Sequence, residues 1–249
     1  MRRLIAALAC RNAGSRLYGK PMQNLLAGKT ILDQILDTIA RLPQIEMPVL
    51  GISEGTENQV FVEVARGRGI PYIVGSEVDV LARLIACAEA ANGTDVFRVT
   101  TECPFLYSEP VERAWHDHQR YGNDITATDG LPEGTHFEIF TLEALRRSHR
   151  NGTSEHRSEN CSRYARQNFK DFRVQAILPE AECARMDLRL TVDYPEDLVV
   201  CRRIYEALQD RAPLIPLRDI VHFLDSRPDL TALLAPYTKP KRLWDGNYP

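Results

Sequence analysis

Along the first hundred residues, short apolar runs alternate with longer segments whose apolar residues recur every three or four positions. LIAALA, from Leu4 to Ala9, carries no polar residue and reads as a buried strand. TILDQILDTIARL sets Ile31, Leu32, Ile35, Leu36 and Ile39 on one helical stripe. VLGIS is the next strand and ENQVFVEVARGRG the next helix, with Gly67 and Gly69 where a C-terminal stop belongs. PYIVG, VDVLARLIACAEAAN and DVFRVT continue as strand, helix and strand. Such a rhythm predicts βαβ units on a largely parallel sheet, the α/β class.

Beyond Thr100 the pattern loosens. A helix is predicted from Pro110 to Tyr121, then NDITAT as a short strand, GLPEGTHFEIF as a turn running into an extended segment, and TLEALRRSH as a helix. The charged stretch SEHRSENCSRYARQN reads as helical, and FRVQAIL and RLTVD read as strands. PEDLVVCRRIYEAL is a helix opened by Pro195, with Glu196 and Asp197 suited to its positive end. The tail, residues 236–249, is rich in Pro, Lys and aromatic side chains and reads as an irregular strap. No Pro/Gly/Ser-rich linker or internal repeat divides the chain, so a single domain over residues 1–249 is expected.

Composition narrows what such a domain does. With 249 residues, 44% of them hydrophobic, the chain can bury a full core. Its 31 Lys plus Arg against 34 Asp plus Glu leave a formal charge of -3, so no global field draws it to nucleic acid or to a membrane, and any anion must be met locally. Leu4 to Ala9 is too short for a signal h-region or a bilayer crossing, which makes a cytoplasmic location the default expectation. The six cysteines show neither CxxC nor Cys/His spacing, which points to small core residues rather than disulfides or zinc.

In an open parallel sheet, ligands bind outside the carboxyl ends of the strands, and this rule selects the candidate residues. After the first strand comes RNAGSRLYGK, in which Arg11, Arg16 and Lys20 surround Gly14, Ser15 and Gly19. Glycines let backbone N–H groups approach an anion while Arg and Lys neutralise phosphate charge; the same stretch also reads as a basic surface turn. It is not a Walker A loop, because Pro21 follows Lys20. Glu102 in TECPF and Asp193 after RLTV are acids at two further strand ends, suited to Mg²⁺ bridging phosphates, although an Asp before a Pro-initiated helix is often a cap.

Gly75 and Ser76 follow the third strand, where backbone can meet a base or ribose; the alternative is a helix start capped by Ser76 or Asp79. In EGTHFEIF, Glu133, His136 and Glu138 cluster beside a turn, and His136 and Glu138 share one face if the segment is a strand. A lone His is also commonly an ordinary polar residue. Two acids and a cationic glycine loop on one sheet edge are the parts for electrostatic catalysis on a polyphosphate. GxSxG, HExxH and EF-hand patterns are absent, as is GxGxxG after the first strand.

The blocks ALACRNAGSRLYGKPMQNLLAGKTIL, GSEVDVLAR, FRVTTECPF, LPEGTHFEIFTLEAL and DLRLTVDYPEDLVVCRRIYEAL, which span most of the chain, resemble the cytidylyltransferases that activate acidic sugars. That family includes CMP-sialic acid and CMP-Kdo synthetases, and the likeness is greatest to its spore-coat polysaccharide branch. The resemblance implies a Rossmann-like nucleotidyltransferase fold, a GT-A-like three-layer sandwich with a mostly parallel central sheet. It implies attack by an anomeric hydroxyl on the α-phosphate of CTP, releasing pyrophosphate and yielding a CMP-sugar. Carried over residue by residue, Arg11, Ser15, Arg16 and Lys20, with Gly14 in their loop, would bind the triphosphate. Gly75, Ser76 and Arg98 would lie near the nucleoside, Asp193 with Glu102 would hold Mg²⁺, and His136, Glu138 and Glu159 would fall on the acceptor side. The resemblance further implies a homodimer, with a dimerisation and acceptor region around residues 130–170.

Three positions depart from the family pattern: Glu102 replaces an Asp, His136 replaces the acid of a Gly-x-Asp-x-Glu element, and Asn160 replaces the His that follows Glu159. A different acceptor or weakened catalysis is therefore expected. The expected partners are CTP and a small anionic acceptor, an acidic sugar or a related phosphonate or phosphate, in surface polysaccharide or related biosynthesis. Two other classes stay open. One is a glycosyltransferase of the same fold, against which stands the absence of a DxD motif; the other is a catalytically silent nucleotide-binding homologue.

Overall fold

The apolar run at the N-terminus forms β1 (Leu4–Cys10), buried along its length as an interior strand of a parallel sheet must be. The computed structural model describes residues 1–14 and 16–244. A two-stranded antiparallel ribbon follows, β2 (Asn24–Leu26) and β3 (Lys29–Thr30). Next come β4 (Met47–Ser53), β5 (Tyr72–Gly75), β6 (Asp95–Arg98), β7 (Ile125–Thr128), β8 (Glu138–Thr141) and β9 (Val174–Ile177). With β1 they make a seven-stranded sheet of order β5-β4-β1-β6-β8-β7-β9 among the described residues. The first four of these run parallel; β8 is antiparallel to β6 and β7, and β7 pairs in parallel with β9.

Alternation along β1 divides the core. Leu4, Ala6 and Leu8 pack with α1 (Ile31–Ile39), α2 (Gln59–Arg68) and α4 (Val111–Arg120) on one face of the sheet. Ile5 and Ala7 pack with α3 (Val80–Ala90) and α5 (Leu142–Asn151) on the other. The result is the predicted three-layer α/β arrangement around a mostly parallel sheet. Local chemistry sets the helix starts: Thr30 and Asp33 form a capping box for α1, and Asp79 caps α3 by accepting from the Ala82 amide at 2.8 Å. Asp79 is thus the cap that its position suggested. Gly69, in the left-handed conformation, closes α2.

Two expectations are corrected. SEHRSENCSRYARQN is not one helix: a short turn at residues 154–157 is separated from α6 (Arg163–Gln167) by an irregular stretch. The segment has no apolar stripe, and side chains such as that of Ser158, which donates to the Glu155 carbonyl at 2.9 Å, bond locally to the backbone. RLTVD does not join the sheet. Residues 188–192 are all buried, but their amides serve loops: Leu190 donates to the Glu133 carbonyl at 2.7 Å and Val192 to that of Glu102 at 3.1 Å. The alternation of apolar and polar residues in the sequence cannot tell these two fates apart.

α7 (Pro195–Leu208) forms as predicted, and α8 (Leu217–Asp225) and α9 (Pro228–Leu234), which the sequence pattern left unassigned, pack beside it. No helix among the described residues is long and apolar enough to cross a membrane.

Candidate active site

The loop after β1 crosses the end of the sheet and meets the start of α7. Its shape rests on close approaches: a Cβ at Gly14 would stand 2.4 Å from the Leu17 carbonyl oxygen. Gly19, at φ 63°, donates its amide back to the Asn12 carbonyl at 2.9 Å. This closure aims Arg16 and Lys20 at Asp193. Lys20 Nζ donates to Asp193 Oδ1 at 2.6 Å and Arg16 to the same oxygen at 3.0 Å. Arg16 also lies over the Tyr194 ring, 4.9 Å from its centroid.

A third cation completes the cluster. Arg189, only 4% exposed, donates to Asp193 Oδ2 at 2.7 Å, to Asp197 Oδ1 at 2.9 Å and to Glu133 Oε2 at 2.5 Å. Asp197, fully buried, accepts the Asp193 and Tyr194 amides at 2.8 and 2.9 Å. The capping role open to Asp193 therefore belongs to Asp197, and the Asp193 carboxylate is left to the three cations. Burial opposes the Asp193 charge, but the hydrogen bond and charge of Lys20, with Arg189 and Arg16, outweigh it and hold this carboxyl below its ordinary value.

Gly134 makes the cluster possible. It sits at φ 95°, and a Cβ there would come within 2.4 Å of the Thr191 amide nitrogen, so the 131–135 turn can lie directly against the segment that carries Arg189.

The cluster opens onto a cleft of about 900 Å³ lined by Arg16, Lys20, Arg98, Glu102, His136, Glu138, Glu159 and Asp193, among others. Burial pushes the Glu102 carboxyl above its ordinary value, partly countered by the charge of Lys20. Arg98 donates to Glu138 Oε2 at 2.9 Å and to the Glu159 carbonyl at 3.0 Å. Burial lowers the His136 pKa and keeps that ring neutral, with Nε2 buried and without a hydrogen-bond partner. Arg11 lines a smaller adjoining pocket with Arg83, Arg98 and Glu102, and lies 3.5 Å from Glu159.

Not every expected residue reaches the cleft. Gly75 and Ser76 line neither cavity: a Cβ at Gly75 would stand 3.0 Å from Arg83 Cγ, and Ser76 Oγ accepts from the Asp79 amide at 3.3 Å. Gly75 thus makes room for Arg83, which donates to the Cys10 and Gly51 carbonyls at 3.1 and 2.8 Å. Gly14 shapes its loop without lining the cleft. Ser15 lies outside the described residues, as does the tail beyond Trp244.

Sequence reasoning missed Arg189, Arg83 and the anchors of the tail. Arg189 had a visible signal, being a cation four residues before Asp193 in a stretch already singled out. The tail had none. Its residues 236–244 run along the cleft: Tyr237 stacks on Tyr194 with ring centroids 4.2 Å apart, and Trp244 Nε1 donates to Glu138 Oε1 at 3.1 Å. The Leu243 and Trp244 amides donate to the Asp129 carboxylate at 2.7 and 3.0 Å.

Comparison with known proteins agrees with this geometry. Residues 5–218 match a family model described as cytidylyltransferase. An uncharacterized protein of Methanocaldococcus jannaschii is 25% identical over 230 residues, covering 92% of this chain and 93% of that one. The spore coat polysaccharide biosynthesis protein SpsF of Bacillus subtilis is 22% identical over 234 residues, covering 92% and 97%. The solved structure of a cytidylyltransferase from Leptospira borgpetersenii superposes with a TM-score of 0.82 at 20% identity, over 93% of this chain and 97% of that one.

Proposed function

The chain belongs to the cytidylyltransferase family, and from that membership we propose that it transfers a cytidylyl group from CTP to a hydroxyl of a small anionic acceptor, releasing pyrophosphate. The observation that carries this reading is the convergence of Arg16, Lys20 and Arg189 on Asp193 at the mouth of the cleft. Arg189 is balanced by Glu133 and Asp197 as well, whereas Arg16 and Lys20 share the one Asp193 carboxylate, so these two loop cations are the ones suited to a polyphosphate. The family match favours cytidylyl transfer over the glycosyltransferase alternative.

In the reaction, the acceptor oxygen bonds to the α-phosphorus and the bond from that phosphorus to the β-phosphate oxygen breaks, so negative charge develops on the departing pyrophosphate. Lys20 and Arg16 exchange their contacts with Asp193 for phosphate oxygens and stabilise that charge as it forms. Arg11, in the adjoining pocket, adds positive charge on the nucleotide side. Arg98 holds Glu138 and, with His136, shapes the acceptor side.

Glu102 and Asp193 fit Mg²⁺. Both are hard oxygen donors that line the same cleft. When bound, the metal supplies charge neutralisation between nucleophile and triphosphate.

The acceptor is an acidic sugar or a related phosphate or phosphonate compound, and the likeness to the spore coat polysaccharide protein supports a place in surface polysaccharide synthesis. The test is pyrophosphate release with each of the four nucleoside triphosphates, Mg²⁺ and a panel of such acceptors. Release with CTP alone is expected. Nucleotide binding without turnover on any acceptor would instead mark a silent homologue, and transfer from a sugar nucleotide would mark a glycosyltransferase.

A further inference from the structure

We infer that the strap formed by residues 236–244 builds a second anion subsite in the cleft, at which Lys239 and Lys241 hold a phosphate or phosphonate group carried by the acceptor. The inference rests on the cytidylyl-transfer reading and adds to it a subsite and a head-group class. The strap lies beyond residues 5–218, the span of the family match.

The strap is pinned on both walls. At its start, the Tyr237 ring stacks on Tyr194, whose ring also carries the Arg16 guanidinium of the phosphate loop. At its end, Trp244 is 3% exposed, its indole donates to Glu138 and its amide to Asp129. Between the pins run Lys239, Pro240 and Lys241. Proline fixes its own φ and holds the residue before it extended, and in extended backbone residues two apart project to one side. Both lysines are exposed, and both line the cleft.

Charge balance separates these two from the other cations. Glu133 is paired with Arg189, Glu138 with Arg98, Glu159 with Arg11, and Asp193 with Lys20, Arg16 and Arg189. Neither Lys239 nor Lys241 has a carboxylate partner among the described residues. Among the described residues their charge in the cleft is therefore unmatched by a carboxylate. Two neighbouring ammonium groups are point charges on flexible stems, suited to the several terminal oxygens and double charge of a phosphoryl or phosphonyl group. A single carboxylate is better matched by one planar guanidinium.

The experiment uses the full chain saturated with a non-hydrolysable CTP analogue, α,β-methylene-CTP, and Mg²⁺, so that the triphosphate loop is occupied. Inorganic phosphate, the bare head group, is then titrated while the lysine side-chain ammonium resonances are followed by NMR, with acetate as the singly charged comparison. Phosphate is expected to shift the Lys239 and Lys241 signals saturably, with acetate binding about tenfold more weakly because it carries half the charge. In calorimetric titrations under the same conditions, Lys239→Ala with Lys241→Ala should abolish phosphate binding, and the double Arg variant should restore it. Thermal unfolding of each variant checks that these exposed positions leave the fold intact. Equal affinity for acetate, or a phosphate response that survives the Ala substitutions, overturns the assignment. Binding of the CTP analogue is read in the same samples, so loss of nucleotide binding would sink the cytidylyl-transfer reading, while a missing phosphate response beside intact nucleotide binding sinks the subsite alone.

Discussion

Lys20 and Asp193 stand 173 positions apart in the chain, yet the Lys20 ammonium donates to the Asp193 carboxylate at 2.6 Å. The contact closes the β1 loop onto the start of α7 and juxtaposes a cation suited to phosphate with an acid suited to a metal ion. Without nucleotide the two neutralise each other. In the proposed reaction, a triphosphate with its cation would offer each a better partner, so nucleotide binding and rearrangement of this pair would be one event.

Lys20→Ala removes the innermost of the phosphate cations. We expect kcat/KM for CTP to fall by about 10²–10³, the usual cost of deleting one preorganised electrostatic contact. Lys20 belongs to a surface loop, so the thermal midpoint should move little. Unchanged steady-state kinetics would remove Lys20 from the phosphate site.

Asp193 and Asp197 make a diagnostic pair. Asp193→Asn should abolish Mg²⁺-dependent turnover while preserving the fold, because the amide still accepts hydrogen bonds and Arg189 keeps Asp197 and Glu133. Asp197→Asn should instead cost roughly 3–5 kcal/mol of stability, since it strips the buried partner from a buried guanidinium and weakens the cap of α7. Urea unfolding and pyrophosphate release, measured on both variants, decide it; a reversed pattern would return the capping role to Asp193.

Gly134→Ala combines a positive φ with a Cβ driven into the Thr191 backbone. The expected cost is about 2–4 kcal/mol. The Arg189–Glu133 contact should loosen with it, so CTP-analogue affinity should drop as well. A variant as stable as the parent by chemical denaturation would show that the turn relaxes freely.

Stability should fall on acidification in two windows. Burial holds His118 and His136 below the ordinary histidine value, so as pH drops through about 6.5 the unfolded chain takes up protons first, and stability present above that value is lost below it. Asp193 is also held low, against its burial, by Lys20 and its neighbours; its contribution persists through that window and is lost only as pH falls through the carboxylate range. His136→Gln should lessen the loss between pH 7 and 5 in urea titrations. An identical slope with and without the histidine would contradict its burial in neutral form.

Much of this architecture was legible beforehand. The alternation of apolar runs with helical stripes up to Arg98 is a local property, and it predicted β1, β4, β5, β6 and the helices between them. Because a parallel sheet presents strand ends on one edge, the same reading brought Arg16, Lys20 and Glu102 to one cleft; Asp193 reaches that cleft too, although the segment before it does not join the sheet. Local rules failed where partners are distant. RLTVD has the residue pattern of a strand, but its amides are satisfied by loops, and SEHRSENCSRYARQN has helical composition without an apolar face to bury.

The sequence by itself determined the α/β class, the order of the sheet strands β1, β4, β5 and β6 with the helices between them, and the presence of a cationic glycine loop, because each depends on residues within a turn or two of one another. The tertiary structure decided which acid caps α7 and which meets the cations, that Arg189 is the hub joining Glu133, Asp193 and Asp197, and that the tail lies across the cleft against Tyr194, Asp129 and Glu138. Those outcomes depend on which charges and amides finally share one desolvated space. Burial energies and hydrogen-bond satisfaction are settled there between residues more than 100 positions apart, as with Trp244 and Glu138.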